Sequence, residues 1–185
     1  KGVTIFTDPF SEFYNNLSKP ESEKDFSNSN LSKLFKSWGF EMKPGMVIGD
    51  IVNGRKVSLG PSNDQKIVTY VLWLAIQQNL LSNTDIITSN LDYIFLKSAG
   101  SIENLNTNSS LVIEPLIRTS KESMLIERYK MQFRADPEQL LKDFESQDKS
   151  YIIGARIKGE LDSAFTMEDI KKIELDTKQH INNIK

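Results

Sequence analysis

Residues 67–76 constrain the chain more than any other stretch. Of these ten residues only Thr69 is clearly polar. Such a run belongs inside, because exposing it forfeits about 1.5–3 kcal/mol for each large apolar side chain. It reads as a buried strand, with a buried helix as the alternative. No apolar run reaches the 18 residues that would mark a membrane-spanning helix. The chain has 185 residues, 38% hydrophobic, enough for one core and one domain.

Around this run the sequence alternates apolar segments with polar connections. Residues 3–7 (VTIFT) are β-branched and aromatic, stop at Asp8-Pro9, and predict a buried strand. Residues 15–30 are polar and read as a long loop. Leu31, Leu34, Phe35 and Trp38 mark one helix face, with Asn30 as cap and Gly39 as stop. Residues 46–50 predict a second strand. Strand, loop, helix, strand is a βαβ-like order and favours a parallel pair. Residues 53–65 read as turns around a short strand or hairpin, 91–96 as a strand, and 101–110 as a polar loop. Residues 111–119 predict a strand that Pro115 pushes to an edge or a bulge. Residues 120–135 are ambiguous. Asp136-Pro137 starts a helix over 138–145. Residues 151–157 alternate as a strand ending at Gly159, and Thr166 caps a last helix towards residue 185.

Charge and side-chain inventory exclude several chemistries. There are 23 basic and 25 acidic residues with no charged block, so a basic nucleic-acid binder is not expected. Cysteine is absent, which removes thiol nucleophiles, thiolate metal sites and disulfides. His180 is the one histidine and sits on the apolar stripe of the last helix, so it reads as packing. No G-x-x-x-x-G-K-[ST] phosphate-binding loop occurs, so this chain is not expected to be an ATPase of that type. Trp38 and Trp73 read as core. Three residues are candidates for ligand contact. Asp8 and Asp50 each follow a strand, where open α/β sheets bind ligands. Either also reads as a turn carboxylate bonded to nearby backbone N–H groups. Arg118, at a strand end before Thr119-Ser120, could take a carboxylate or phosphate or form a surface ion pair.

Five stretches, in order, carry a family resemblance: VTIFTDPFSE, LSKLFKSWGFEMKPGMVIGD, SNLDYIFLKSAGSI, VIEPLIRTSKES and IIGARIKGELDSAF. Together they span roughly residues 2–165. The sequence resembles the extracytoplasmic domain of the auxiliary, substrate-binding component of gliding-motility-type ABC transporters. The resemblance implies an α/β domain like that of class I glutamine amidotransferases, tethered by membrane helices outside this chain. It implies a permease and a separate ATPase as partners, and no cofactor. The amidotransferase-type Cys and His chemistry is not available in a chain without cysteine.

The expectation is therefore an α/β fold with a mainly parallel sheet flanked by helices. A partial domain covers 1–165, and 166–185 form a C-terminal helix. Both ends are read as cuts in a longer bacterial protein. The expected function is a non-enzymatic, extracytoplasmic auxiliary component that meets a small-molecule or envelope ligand near Asp8, Asp50 and Arg118. Two alternatives stand beside it. One is a scaffold that holds transporter subunits together. The other is an envelope glycan hydrolase built on Asp8 and Asp50, which would have to lie within about 5–10 Å of each other.

Overall fold

A computed structural model describes residues 2–12, 31–106, 110–131, 135–161 and 163–171. The elements run α1 (Ser32–Ser37), β1 (Phe40–Met42), β2 (Met46–Asp50), β3 (Gly54–Leu59), β4 (Lys66–Gln77) and β5 (Tyr93–Lys97). There follow β6 (Ile102–Asn104), β7 (Val112–Arg118), β8 (Ser123–Glu127), α2 (Pro137–Lys142) and β9 (Ile152–Lys158). Short 3₁₀ turns follow β4 and β8.

Among the described residues the strands form three sheets, ordered β1-β6-β9-β7, β2-β8 and β3-β4-β5. Every pairing among the described residues is antiparallel. This overturns the expected mainly parallel, amidotransferase-like α/β sheet. The reason lies in residues 3–7. They form no strand, and Val3 and Phe6 stand 78% and 90% exposed. Without that strand the βαβ unit does not exist. Helix α1 leads instead into β1, whose partner is β6, and β2 pairs with β8. The connections are also short. Only residues 51–53 join β2 to β3, and 119–122 join β7 to β8. Parallel neighbours need a crossover of a dozen residues or more.

The apolar run is a strand of twelve residues, β4, and its length explains its composition. Val71 and Leu72 enter one core cluster with Phe10, Val47, Ile126, Met131 and Leu140. Leu74 and Ile76 enter a second with Ile48, Leu81 and Tyr151. Strand β2 lies between the two clusters: Val47 faces the first and Ile48 the second, and both are fully buried. A third cluster, Phe35, Phe40 and Leu111, packs α1 against the four-stranded sheet.

Local signals hold well. Asp136 caps α2 by accepting the Glu138 N–H at 2.9 Å, with Pro137 at the first helical position. Thr166 accepts the Asp169 N–H at 3.2 Å, while Asp169 accepts the Thr166 N–H at 2.8 Å, a reciprocal cap. Gly39 ends α1 at φ 91°, a conformation that glycine adopts without steric cost. Pro115 sits beside a register shift on the edge strand β7. The expected loop at 101–110 contains β6, and the ambiguous 120–135 contains β8. Asn30, His180, the whole 15–30 loop and residues 172–185 lie outside the described residues.

Candidate functional site

Asp50 closes β2, and the chain turns back through 51–53 into β3. Its carboxylate bends over that turn. Oδ1 accepts the N–H groups of Val52 and Asn53, both at 3.0 Å, and the Ser120 hydroxyl at 2.8 Å. Oδ2 accepts Asn53 Nδ2 and the Ser120 N–H, both at 2.8 Å. A carboxylate offers about four lone-pair positions, so five donors use it up. The group is wholly buried. The turn reading of the sequence accounts for these contacts with Val52 and Asn53. Ser120 and the burial go beyond it.

Ser120 belongs to a corner where β7 leaves one sheet and β8 enters another. Thr119 is buried there: its hydroxyl accepts the Tyr151 N–H at 2.8 Å and shares a 2.8 Å bond with Ser123. Ser123 also reaches the Lys149 carbonyl at 2.7 Å, and Ser150 donates to the Thr119 carbonyl at 2.7 Å. Asp50 and Ser123 are themselves Cα partners in the β2–β8 ladder. Three chain passages thus meet on one carboxylate and two hydroxyls. Arg118 lies at the rim of this corner, exposed, and its side chain has no hydrogen-bond or ion-pair partner among the described residues.

Asp8 lies elsewhere. Its Oδ1 accepts the Phe10 N–H at 2.9 Å, which turns the chain so that Phe10 enters the core. Partial burial raises its carboxyl above the usual value; the Phe10 N–H opposes this and the charge of Glu12 adds to it. No hydrogen bond joins Asp8 to Asp50 among the described residues. The structure brings together Asp50 and the Arg118–Ser120 segment, and Asp8 shares no hydrogen bond with either among the described residues.

A residue the sequence reading missed holds the second polar centre. Glu12 accepts Trp73 Nε1 at 2.9 Å and the Ser98 hydroxyl at 2.6 Å. Ser98 is buried with φ 50°, held by its N–H on the Leu72 carbonyl at 3.0 Å. Trp73 is therefore half core and half surface: its ring packs on the first cluster while its N–H is spent on Glu12. The Tyr70 ring lies tilted against Trp73, with centroids 5.2 Å apart, and burial, with Glu12 adding, pushes its phenol up to about 12. Glu12 and Trp73 are 61 positions apart, and no sequence signal links them.

Among the described residues no group of three or more His, Asp or Glu is placed to hold a metal ion. No helix among them is long and apolar enough to cross a membrane.

A family model described as an ABC-type uncharacterized transport system matches residues 1–184. No curated protein and no solved structure matches the chain. With nearly the whole chain covered, the protein belongs to the family of auxiliary components of ABC-type transport systems.

Proposed function

We propose that this chain is a non-enzymatic, extracytoplasmic component of an ABC transport system of the gliding-motility type. It binds the permease or an envelope ligand, while a separate subunit hydrolyses ATP. The observation that carries this reading is the closed set of five hydrogen bonds on buried Asp50. A carboxylate so engaged holds a corner of the fold. It would have to shed those bonds before it could act as a nucleophile, a base or a ligand contact. What remains for a partner at that corner is its rim, where Arg118 offers an exposed guanidinium suited to a carboxylate or phosphate.

The same observation favours a second reading, a scaffold that binds no small molecule. The test combines two measurements on the chain. One is capture of an ABC permease and its ATPase from detergent extract. The other is thermal unfolding against sugars, muropeptides, amino acids, nucleotides and divalent metals. A ligand at a hundredfold over its dissociation constant adds about 2.7 kcal/mol to stability. Capture with a ligand-dependent shift supports solute binding, and capture without a shift supports the scaffold. Hydrolysis of an envelope glycan that depends on Asp8 overturns both.

A further inference from the structure

The outer face of β5 carries an arrangement that neither the corner nor the transporter reading uses. Strand β5 is the edge of its sheet, paired with β4 on one side only among the described residues. Ile94 and Leu96 point into the second core cluster, so the strand is held firmly. Tyr93 and Phe95 point outward, 53% and 51% exposed, with ring centroids 4.9 Å apart in an edge-to-face contact. Lys97 continues the outward row. Its ammonium lies 4.2 Å from the Trp73 ring centre, and the Arg55 guanidinium lies 4.6 Å from that of Phe95. Neither cation has a carboxylate within ion-pair distance among the described residues. Glu12, bonded to Trp73 and Ser98, pairs with neither cation, and nor does Asp92, which precedes the strand.

We infer that the edge and face of β5 receive an extended, acidic peptide segment of a partner protein, added as a further strand. Three features converge on this occupant. The free edge offers backbone donors and acceptors, which favours strand addition. The outward row repeats every second residue, the period of an extended peptide's side chains. The cations without acid partners set the charge of the guest, since complementary charge selects a partner and speeds its arrival. A glycan fits less well. Sugars stack on open ring faces, and one face of both Phe95 and Trp73 is already taken by a cation. Nothing about this face depends on the extracytoplasmic location proposed above.

The test begins with a random twelve-residue peptide library selected on the immobilised full chain at low salt. The expected winners are rich in Val, Thr and Ile, with Asp or Glu at alternate positions. Their binding, read by fluorescence anisotropy, weakens with salt. It falls about tenfold or more in Lys97→Glu. It falls by a similar factor when amides facing β5 are N-methylated, because two lost backbone bonds are worth about that much. Hydrogen exchange on the unaltered chain must show new protection at the β5 amides, so the outcome does not hang on the folding of a variant. Winners without acidic enrichment, equal binding by Lys97→Glu, or unprotected β5 amides overturn the inference. So does binding of polygalacturonate in place of peptide, or a dimer of the chain that itself protects β5.

Discussion

Ser120 holds Asp50 with two atoms at once. Its backbone N–H donates to Oδ2 and its hydroxyl to Oδ1, each at 2.8 Å, across 70 positions of sequence. The pairing locks the end of β2 to the corner between β7 and β8, and so joins two of the three sheets. Buried donors around a carboxylate are costly to strand, because each loses its water as well as its partner. Asp50→Asn turns one acceptor into a donor facing other donors. It should cost about 2–4 kcal/mol. Ser120→Ala keeps the N–H bond and should cost about 1–2 kcal/mol. The two changes share a partner, so the double variant should cost less than their sum. Urea unfolding with unchanged slope is the measurement.

Tyr70 reports on the Glu12 centre. Its phenol is raised to about 12, chiefly by burial and further by the Glu12 charge. A phenol raised in the folded state contributes fully below its unfolded value near 10, and that contribution is lost as pH rises from there to about 12. Glu12→Gln removes the smaller cause and leaves burial in place. Ultraviolet titration of tyrosinate should therefore show the Tyr70 step moving down partway, still above the ordinary value. Trp73 emission should change in the same variant, since its N–H loses a charged acceptor. A Tyr70 step that returns fully to the ordinary value would mean that the ring is not buried against Trp73.

The sequence was most legible where one residue decides a local event. Asp136 and Thr166 announced their caps, Gly39 its helix end, and Pro115 its irregular edge. Apolar runs located β2, β4 and β7, and alternation located β9, to within a residue or two. Partners were not legible. A strand's pattern shows which faces are buried but not who lies beside it, so the order of residues 1–50 suited a parallel pair that does not form. Strands β1 and β6, of three residues each, were too short to show a period. The candidate site divides the same way. Asp50 was visible as a carboxylate at a strand end, but Ser120 and the burial of the pair come from a corner assembled over long range. Glu12 had no local signature at all.

Gly54 carries a steric prediction. A Cβ there would meet the Asp50 carbonyl oxygen at 2.9 Å and the Tyr70 carbonyl oxygen at 3.2 Å, besides Thr69 Cγ2 at 2.7 Å. The threonine methyl can turn away, but the two carbonyls belong to the β2 end and to β4 and cannot. Gly54→Ala should destabilise by about 1–3 kcal/mol, as overpacking does. Gly45→Ala is a different kind of change. Its Cβ meets open space, but its φ of 68° is unfavourable for alanine, so any loss there is backbone strain without a clash. Thermal unfolding of both should be accompanied, for Gly54→Ala alone, by altered exchange of the Ala75 N–H that bonds the Asn53 carbonyl at 2.8 Å.

Asp85 and Arg156 supply the acid-side prediction. Arg156 grips both carboxylate oxygens of Asp85, the second through Nη2 at 2.9 Å, and fastens the loop after β4 onto β9. Asp85 in turn accepts the Ile87 N–H at 2.9 Å, and its carbonyl accepts those of Thr88 and Ser89. The loop presents Ile86 to solvent, 84% exposed. The Arg156 hydrogen bond first, and the Ile87 N–H next, lower the Asp85 carboxyl from 3.8 to about 2. A carboxyl lowered in the folded state contributes above its unfolded value and loses that contribution as pH falls through the folded one. The loop should therefore hold at neutral pH and loosen as pH falls from about 4 to about 2. Arg156→Lys keeps the charge but loses the planar two-point grip, so the same loosening should be complete nearer pH 4. Exchange of the Ile87, Thr88 and Ser89 amides against pH is the direct readout. Unchanged exchange in Arg156→Lys would show that the loop is held by its internal turns and by Thr88, whose hydroxyl donates to the Ser82 carbonyl at 2.7 Å, and not by the ion pair.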